Sequence, residues 1–257
     1  MVGTAKGRGF GVDVGGSGIK GCVVDVEAGA LEGERLRIPT PEGAEPDAIA
    51  DVVADIVSSF DWHGPVGVTL PCVVKGGMAL TAANVHKSWI GTDAAELFAK
   101  RLGRATDEII VVNDADAAGL AEMRFGAGRS HHKGVVVVLT FGTGIGSSVF
   151  VDGELVPNTE FGHLEVDGHN AEKRAAASIK EDEDLSWAEW AKRVTRYLQA
   201  VETVMWPDLI IAGGGVSKKA EKWLPLLEVK TPVLAAGLRN DAGIVGAGCM
   251  ASQLLVG

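Results

Sequence analysis

The sequence predicts an α/β chain of two small lobes sharing a cleft, each a sheet flanked by helices, and three observations carry that expectation. Short β-branched runs alternate with helical periodicities along the whole length. At 257 residues the chain exceeds one average domain and can bury a sizeable core. A pattern also repeats. Gly16-Ser17-Gly18-Ile19, before the run Cys22-Val23-Val24, returns 126 residues later as Gly142-Thr143-Gly144-Ile145 before Ser148-Val149-Phe150. A period near half the chain points to a duplicated domain rather than a solenoid. Two facing glycine hairpins would make two sides of one phosphate site, and each is equally compatible with an ordinary tight turn.

Residues 10–14 read as a strand, followed at once by Gly15 to Gly18 and a second β-rich run over 21–26. A further strand is expected near 31–38. Residues 46–60 predict a helix, because Ile49, Val52, Val53, Ile56, Val57 and Phe60 share one face. Residues 65–70 read as a buried strand ended by Pro71. Residues 92–102 predict a short helix, with Asp93 and Glu96 at capping-box spacing and Gly103 as the stop. The unbroken apolar run 108–112 predicts a strand covered on both faces, and 116–125 a helix. A β-branched strand over 134–140 precedes the glycine-rich stretch 141–146 and another strand over 148–152. Ser186 and Glu189 open a long helix with the stripe Trp187, Trp190, Val194, Leu198, Val201 and Met205. Residues 208–212 form a strand ending in Gly213, Gly214 and Gly215. A helix to Leu227, a strand near 232–234 and an apolar helix over 242–255 complete the series. The lobe boundary is set at 1–112 and 113–257, with the last helix packing back on the first lobe.

Composition narrows the function. Aromatic residues are only 5% of the chain, which predicts cores of Val, Leu, Ile and Ala. A net charge of -10 argues against duplex nucleic acid as a partner, while leaving small anions open. No apolar run is long enough to span a bilayer, so no membrane is expected, and residues 1–8 lack the apolar segment of a secretory signal. Cys22, Cys72 and Cys249 are odd in number and without metal-ligand spacing. They read as buried free thiols in a cytoplasmic protein.

Four motifs carry chemistry. Asp13 to Lys20 places glycines where a backbone can approach an anion, with Ser17 as a hydroxyl donor and Lys20 as a point charge. Asp13, at a strand end, could hold Mg²⁺ or its waters. The motif is neither a P-loop nor a dinucleotide fingerprint. Asn113-Asp114-Ala115-Asp116 follows an apolar strand, at the carboxyl end where α/β sheets bind ligands. Asn113 suits a sugar hydroxyl and Asp114 a general base, while helix capping competes as an explanation, with Asp116 the better cap. Glu160-Phe161-Gly162-His163 is a compact polar loop suited to the hydroxyls of a pyranose. Zinc on Glu160, His163 and His169 is the rival, though no cysteine lies near to complete a structural site. Gly213 to Gly215, then Val216-Ser217-Lys218-Lys219, opens the expected helix with free N–H groups. His86 and the basic runs 129–133 and 192–196 read as solvated surface.

These motifs, together with Thr140-Phe141-Gly142-Thr143-Gly144-Ile145-Gly146, resemble the ROK sugar kinase family in their order and across nearly the whole chain. Within it, the loop from Pro207 to Lys218 and the closing Leu238 to Ala247 are similar to the short members that use inorganic polyphosphate. The resemblance implies a two-lobed actin-like ATPase (ribonuclease H-like) fold of duplicated mixed five-stranded sheets flanked by helices. It implies phosphoryl transfer from polyphosphate, and ATP, to the 6-hydroxyl of glucose, with mannose a further acceptor. Asp114 is then the catalytic base, Mg²⁺ the cofactor, and a homodimer the expected assembly.

Carried over by residue, the hexose site is Asn84, Asn113, Asp114, Glu160, His163 and Glu172. Asn84 lies in a loop resembling the family's, with Trp89 downstream. The phosphate site is Gly15, Gly16, Ser17, Gly18, Lys20, Thr140, Gly142, Thr143, Gly144, Gly214 and Gly215. Two departures stand out. The family's zinc-binding cysteine cluster is missing, so His163 should be a sugar ligand and no zinc is expected. Cys72 also replaces a glycine that lies against the sugar, which puts hexose preference in doubt. A strictly ATP-dependent hexokinase is the alternative, because polyphosphate needs a basic groove in an acidic chain. Lys218, Lys219, Lys222 and the run 129–133 are candidates for that groove. A sugar-sensing regulator would need a helix-turn-helix before the first strand, and an actin-like chaperone would not need the sugar loops.

Overall fold

The structure is a computed structural model that describes residues 7–83 and 85–254. It divides into two compact units. One runs to Ala121 and resumes at Asp241; the other spans Glu122 to Asn240.

The first unit contains β1 (Arg8–Gly15), β2 (Gly18–Asp25), β3 (Ala30–Leu31), β4 (Leu36–Ile38), α1 (Pro46–Ser59), β5 (Val66–Leu70), β6 (Val74–Lys75), β7 (Met78–Ala79), α2 (Ala94–Leu102), β8 (Ile109–Asn113) and the start of α3 (Asp114–Phe125). Its main sheet has the order β3-β2-β1-β5-β8, with β4 a sixth strand on β2. β1 pairs antiparallel with β2 and parallel with β5, which pairs parallel with β8. Of the stripe predicted for α1, Ile49, Val52, Val53, Ile56 and Val57 are buried, while Phe60 is half-buried and stands at the helix C-cap. Asp93 caps α2 by accepting from the Glu96 N–H at 2.9 Å, and Gly103 ends it in the left-handed region at φ 64°.

The second unit contains β9 (Val135–Phe141), β10 (Ile145–Val151), β11 (Glu154–Val156), β12 (Glu165–Val166), β13 (His169–Asn170), α4 (Glu172–Ala175), α5 (Ala177–Asp182), α6 (Trp187–Met205), β14 (Leu209–Gly214) and β15 (Val233–Ala235). Its main sheet has the order β11-β10-β9-β14-β15, an antiparallel hairpin continued by parallel strands. Position by position this repeats the first sheet, so the internal echo is a duplicated topology. Ser186 and Glu189 form the predicted capping box on α6.

The structure departs from several expectations. The strand near 31–38 is split, with β3 on Val24–Asp25 and β4 on Ile19–Gly21, and Gly33 interrupts it at φ 88°. β8 closes one edge of its sheet, so Ile110 and Val112 are half-buried rather than covered on both faces. The helix expected from 116 begins at Asp114. After Gly215 the chain forms 3₁₀ turns, Gly215–Lys222 and Leu224–Leu226, with non-helical angles at Lys219. The second core is also not simply aliphatic. Phe141 packs edge-on against Trp190 and Trp223 at 5.7 and 5.9 Å, and the two indoles lie 5.0 Å apart. Aromatics also enter the first core, where Phe10 lies 5.3 and 5.9 Å from Phe60 and Trp62.

The closing helix, Ala242–Gln253, belongs to the first unit and lies on β1 and β5 with backbone against backbone at Gly9, Gly11 and Gly67. Glu122, 1% exposed, accepts from the N–H groups of Ala127, Gly237 and Leu238 at 3.0, 2.9 and 2.7 Å. That carboxylate fixes the segment after α3 to the one before the closing helix. Among the described residues no helix is long and apolar enough to cross a membrane.

Candidate active site

In the first unit the motif residues gather at the carboxyl ends of three neighbouring strands. Register sets Asp13 beside Thr69 and Leu70 beside Asn113. Thr69 Oγ1 donates to Asp13 Oδ1 at 3.0 Å, and Lys20 Nζ lies 2.9 Å from Asp13 Oδ2. Gly243, in the first turn of the closing helix, is so close that a Cβ there would sit 2.9 Å from Asp13 Oδ1. The carboxylate therefore sits by a helix start, where the dipole favours negative charge.

The sequence suggested Asp116 as the helix cap, and the structure corrects this. Asn113 is the cap: its Oδ1 accepts from the N–H groups of Ala115 and Asp116 at 2.8 and 3.1 Å. Its Nδ2 donates to the Cys72 carbonyl at 3.0 Å, which among the described residues leaves one amide hydrogen uncommitted. Asp116 is buried in the first turn of α3. Asn113 thus holds Asp114, the first residue of α3, half-buried at the strand end. The Cys72 side chain lies in the core, 1% exposed. Asn84 lies outside the described residues; Trp89 beyond it is buried, its indole donating to the Ala44 carbonyl at 3.0 Å.

The glycine turn between β1 and β2 is held through its carbonyls. Thr40 Oγ1 donates to Gly15 O at 2.5 Å and Arg37 Nη2 to Ser17 O at 2.7 Å. Gly16 and Ser17 are exposed.

In the second unit, Thr140 pairs with Gly213 and Phe141 with Gly214 at the ends of β9 and β14. Gly214 requires glycine twice over: its φ is 82°, and a Cβ would sit 2.1 Å from the Phe141 carbonyl oxygen. Ser178 braces the second glycine turn, its N–H on Gly142 O at 3.1 Å and its hydroxyl on Thr143 O at 2.8 Å. A cavity of about 390 Å³ opens there, lined by Gly142, Thr143, Lys180, Trp187, Gly215 and Lys219 among others. Lys180 Nζ lies 4.6 Å from the centre of the Trp187 ring.

Glu160, His163 and Glu172 come together in this unit. His163 Nε2 is 3.8 Å from Glu160 Oε2, and its Nδ1 is 3.8 Å from Glu172 Oε1. Glu172 Oε2 accepts from the Ile145 N–H at 3.3 Å, and a Cβ on Gly144 would meet that oxygen at 2.5 Å. The carboxylate is therefore seated beneath the second glycine turn. The buried Trp190 indole donates to the carbonyls of Ala175 and Ala176 at 3.1 and 3.2 Å, tying α4 to the aromatic core. Burial raises the Glu160 carboxyl above its ordinary range; His163 opposes that shift and Glu172 adds to it.

A raised carboxyl pKa means the folded state holds the proton more tightly than the unfolded one. Glu160 therefore lowers stability as pH rises through its folded pKa. Glu160→Gln should raise the thermal midpoint at pH 7 and leave it unchanged near pH 4. Midpoints at the two pH values check this.

Several further residues shape the site without belonging to a motif. Asn170 Nδ2 donates to His163 Nδ1 at 3.1 Å, which places the ring proton on Nε2, toward Glu160. The Asp167-Gly168 turn between β12 and β13 is the signal that could have found it. Thr69, a hydroxyl in an apolar strand, was visible in the same way. Arg37, Thr40 and Ser178 carry no local signal. His169 contacts Arg174, with Nε2 and Nη2 2.8 Å apart. The basic stretch from Lys192 lines another cavity, and there Arg193 pairs with Glu183 and Arg196 with Asp167. Among the described residues no group of three or more His, Cys, Asp or Glu is arranged to hold a metal ion.

A sequence model of the ROK family matches residues 9–176. The chain is 57% identical over 244 residues to the polyphosphate glucokinase of Mycobacterium tuberculosis, covering 95% of this chain and 91% of that protein. It is 26% identical over 318 residues to the glucokinase of Streptomyces coelicolor, covering 95% and 97%. The crystal structure of the inorganic polyphosphate/ATP-glucomannokinase from Arthrobacter sp. strain KM superposes with a TM-score of 0.90 at 48% identity, over 97% of this chain and 98% of that one. The duplicated sheets are those of the actin-like ATPase fold, and the chain belongs to the ROK family.

Proposed function

We propose that this chain moves the terminal phosphoryl group of inorganic polyphosphate, and of ATP, to the 6-hydroxyl of glucose, with mannose as a second acceptor. The chain is a hexose kinase, and the relatives at 57% and 48% identity support polyphosphate as its donor. The observation that carries the chemistry is the row of strand ends in the first unit. There Asn113 caps the helix that Asp114 opens, and one strand, β5, separates that strand end from Asp13 and the carbonyl-capped glycine turn.

Asp114 accepts the proton of the sugar 6-hydroxyl as that oxygen bonds to the terminal phosphorus. The bridging P–O bond breaks, and its electrons leave with a polyphosphate one unit shorter, or with ADP. Glu160, His163 and Glu172 accept and donate to hexose hydroxyls, with Asn170 fixing the His163 tautomer. Gly15 to Gly18 with Lys20, Gly142 to Gly144 with Thr140, and Gly214 with Gly215 receive donor phosphates through backbone N–H groups and hydroxyls. Lys180 and Lys219 add charge along the second unit's cavity.

Both oxygens of Asp13 are already engaged by Thr69 and Lys20. That donor set fits Mg²⁺ held through its own waters and the donor phosphates rather than by direct ligation. The ion would neutralise charge on the transferring group. A cytoplasmic homodimer completes the proposal, with the three buried free thiols consistent with a reducing compartment.

Initial rates for each donor, ATP or polyphosphate, against glucose, mannose, fructose and N-acetylglucosamine test this reading. Glucose 6-phosphate should form from both donors, and mannose should be turned over more slowly. Turnover with ATP alone would establish the strictly ATP-dependent alternative.

A further inference from the structure

We propose that Arg37 is a donor-binding residue of the first glycine turn and contacts phosphoryl groups beyond the one transferred. The inference rests on the donor role proposed above for that turn.

Register places Asp13 opposite Lys20, and Lys20 opposite Arg37, across β1, β2 and β4. Directly opposed residues share a face of the sheet, so the three side chains form one row beside the turn. Lys20 and Asp13 are paired at 2.9 Å. Arg37 is exposed and, among the described residues, has no carboxylate partner. It is the uncompensated charge of the row.

Gly18 shows that the guanidinium has a built seat. Its φ is not in the left-handed region, so the backbone there does not require glycine. A Cβ at Gly18, however, would lie 2.6 Å from Cζ, Nε and Nη2 of Arg37. The missing side chain is what lets the guanidinium lie against the turn. The corresponding glycine of the second turn, Gly144, instead makes room for the Glu172 carboxylate. The two duplicated turns thus share a shape and differ in the sign of the charge they admit.

Local dipoles favour an anion too. Arg37 and Thr40 engage the carbonyl oxygens of Ser17 and Gly15, so those lone pairs are turned to side chains rather than to an incoming phosphate. A single Nη2–H bond to Ser17 leaves four guanidinium N–H donors, enough for a bidentate phosphate contact. A long polyphosphate offers such a group at every unit, whereas a nucleotide ends in adenosine. Arg37 should therefore matter more for polyphosphate than for ATP.

Two variants separate charge from tethering. Arg37→Gln can still donate to Ser17 O but is neutral, and Arg37→Lys keeps the charge. Calorimetric titration of the full chain with tripolyphosphate, and KM values for polyphosphate, ATP and glucose, form the test. Arg37→Gln should weaken tripolyphosphate binding and raise KM for polyphosphate by about tenfold, and flatten their dependence on salt. KM for ATP should rise less, and KM for glucose should not move. Arg37→Lys should lose clearly less than Arg37→Gln, because it keeps the charge and gives up only the two-point contact. Wild-type affinity in Arg37→Gln, or equal loss in both variants, would show a tether only and overturn the proposal. No tripolyphosphate binding by the wild type would also overturn it. Binding without transfer to glucose would instead remove the donor function proposed above, while the titrations still decide the role of Arg37.

Discussion

Asp114→Asn should lower kcat with glucose by about a thousandfold, within the range that general-base catalysis contributes. The substitution is nearly isosteric, and the amide oxygen can still accept the Ala115 N–H that Asp114 Oδ1 accepts at 2.8 Å. What it removes is the capacity to take a proton. Because Asp114 opens α3, the variant also loses a favourable charge at a helix start, worth about 1 kcal/mol. The thermal midpoint should therefore fall by only about 2–4 °C. KM for both substrates should change little, since the lost interaction belongs to the transition state. Steady-state kinetics with a melting curve check the pair of expectations. Near-normal kcat would take Asp114 out of the reaction.

Gly11→Ala should be among the most damaging single methyls in the first unit. A Cβ there lands 1.9 Å from the Ile244 carbonyl oxygen and 2.9 Å from the Gly248 nitrogen. Both are backbone atoms, so no rotamer change relieves the clash. Gly9 and Gly67 face the carbonyls of Gly248 and Ala247 just as closely, at 2.0 Å, so the closing helix cannot slide along the sheet to escape. On its far side Gly246 meets Ala117 of α3, where a Cβ would sit 1.9 Å from the carbonyl oxygen. Overpacking a confined contact of this kind costs about 3 kcal/mol, or a midpoint lower by about 10 °C. Any helix shift also moves Gly243 against Asp13, so KM for the donor should rise. A midpoint unchanged from wild type would show that the helix is not confined by this glycine contact.

Much of this was legible because local rules decide it. Capping residues fixed α2 and α6, the apolar stripe fixed α1, and the echo between Gly16 and Gly142 announced the duplicated sheets. Motif residues stood at strand ends because turns and ligand sites share a need for glycine and small polar residues. What escaped depends on pairing across long separations. Arg37 joins the first turn only because β4 returns along β2. Asn170 reaches His163 only because β13 folds back on β12. The cap was misassigned to Asp116 because an Asn and an Asp three residues apart look equally suited, and only the path of β8 chooses between them. The 3₁₀ turns after Gly215 were missed because Lys218, Lys219 and Lys222 carry helical propensity while Pro225 and the buried Trp223 set a different path.

The most direct test follows the phosphorus atom. Purified chain, glucose, magnesium and inorganic polyphosphate, free of nucleotide, should give a phosphorus NMR resonance of glucose 6-phosphate that grows as the polyphosphate chains shorten. The same mixture with Asp114→Asn should show almost none. Polyphosphate left intact, or phosphate appearing on water or on another hydroxyl of the sugar, would contradict the account.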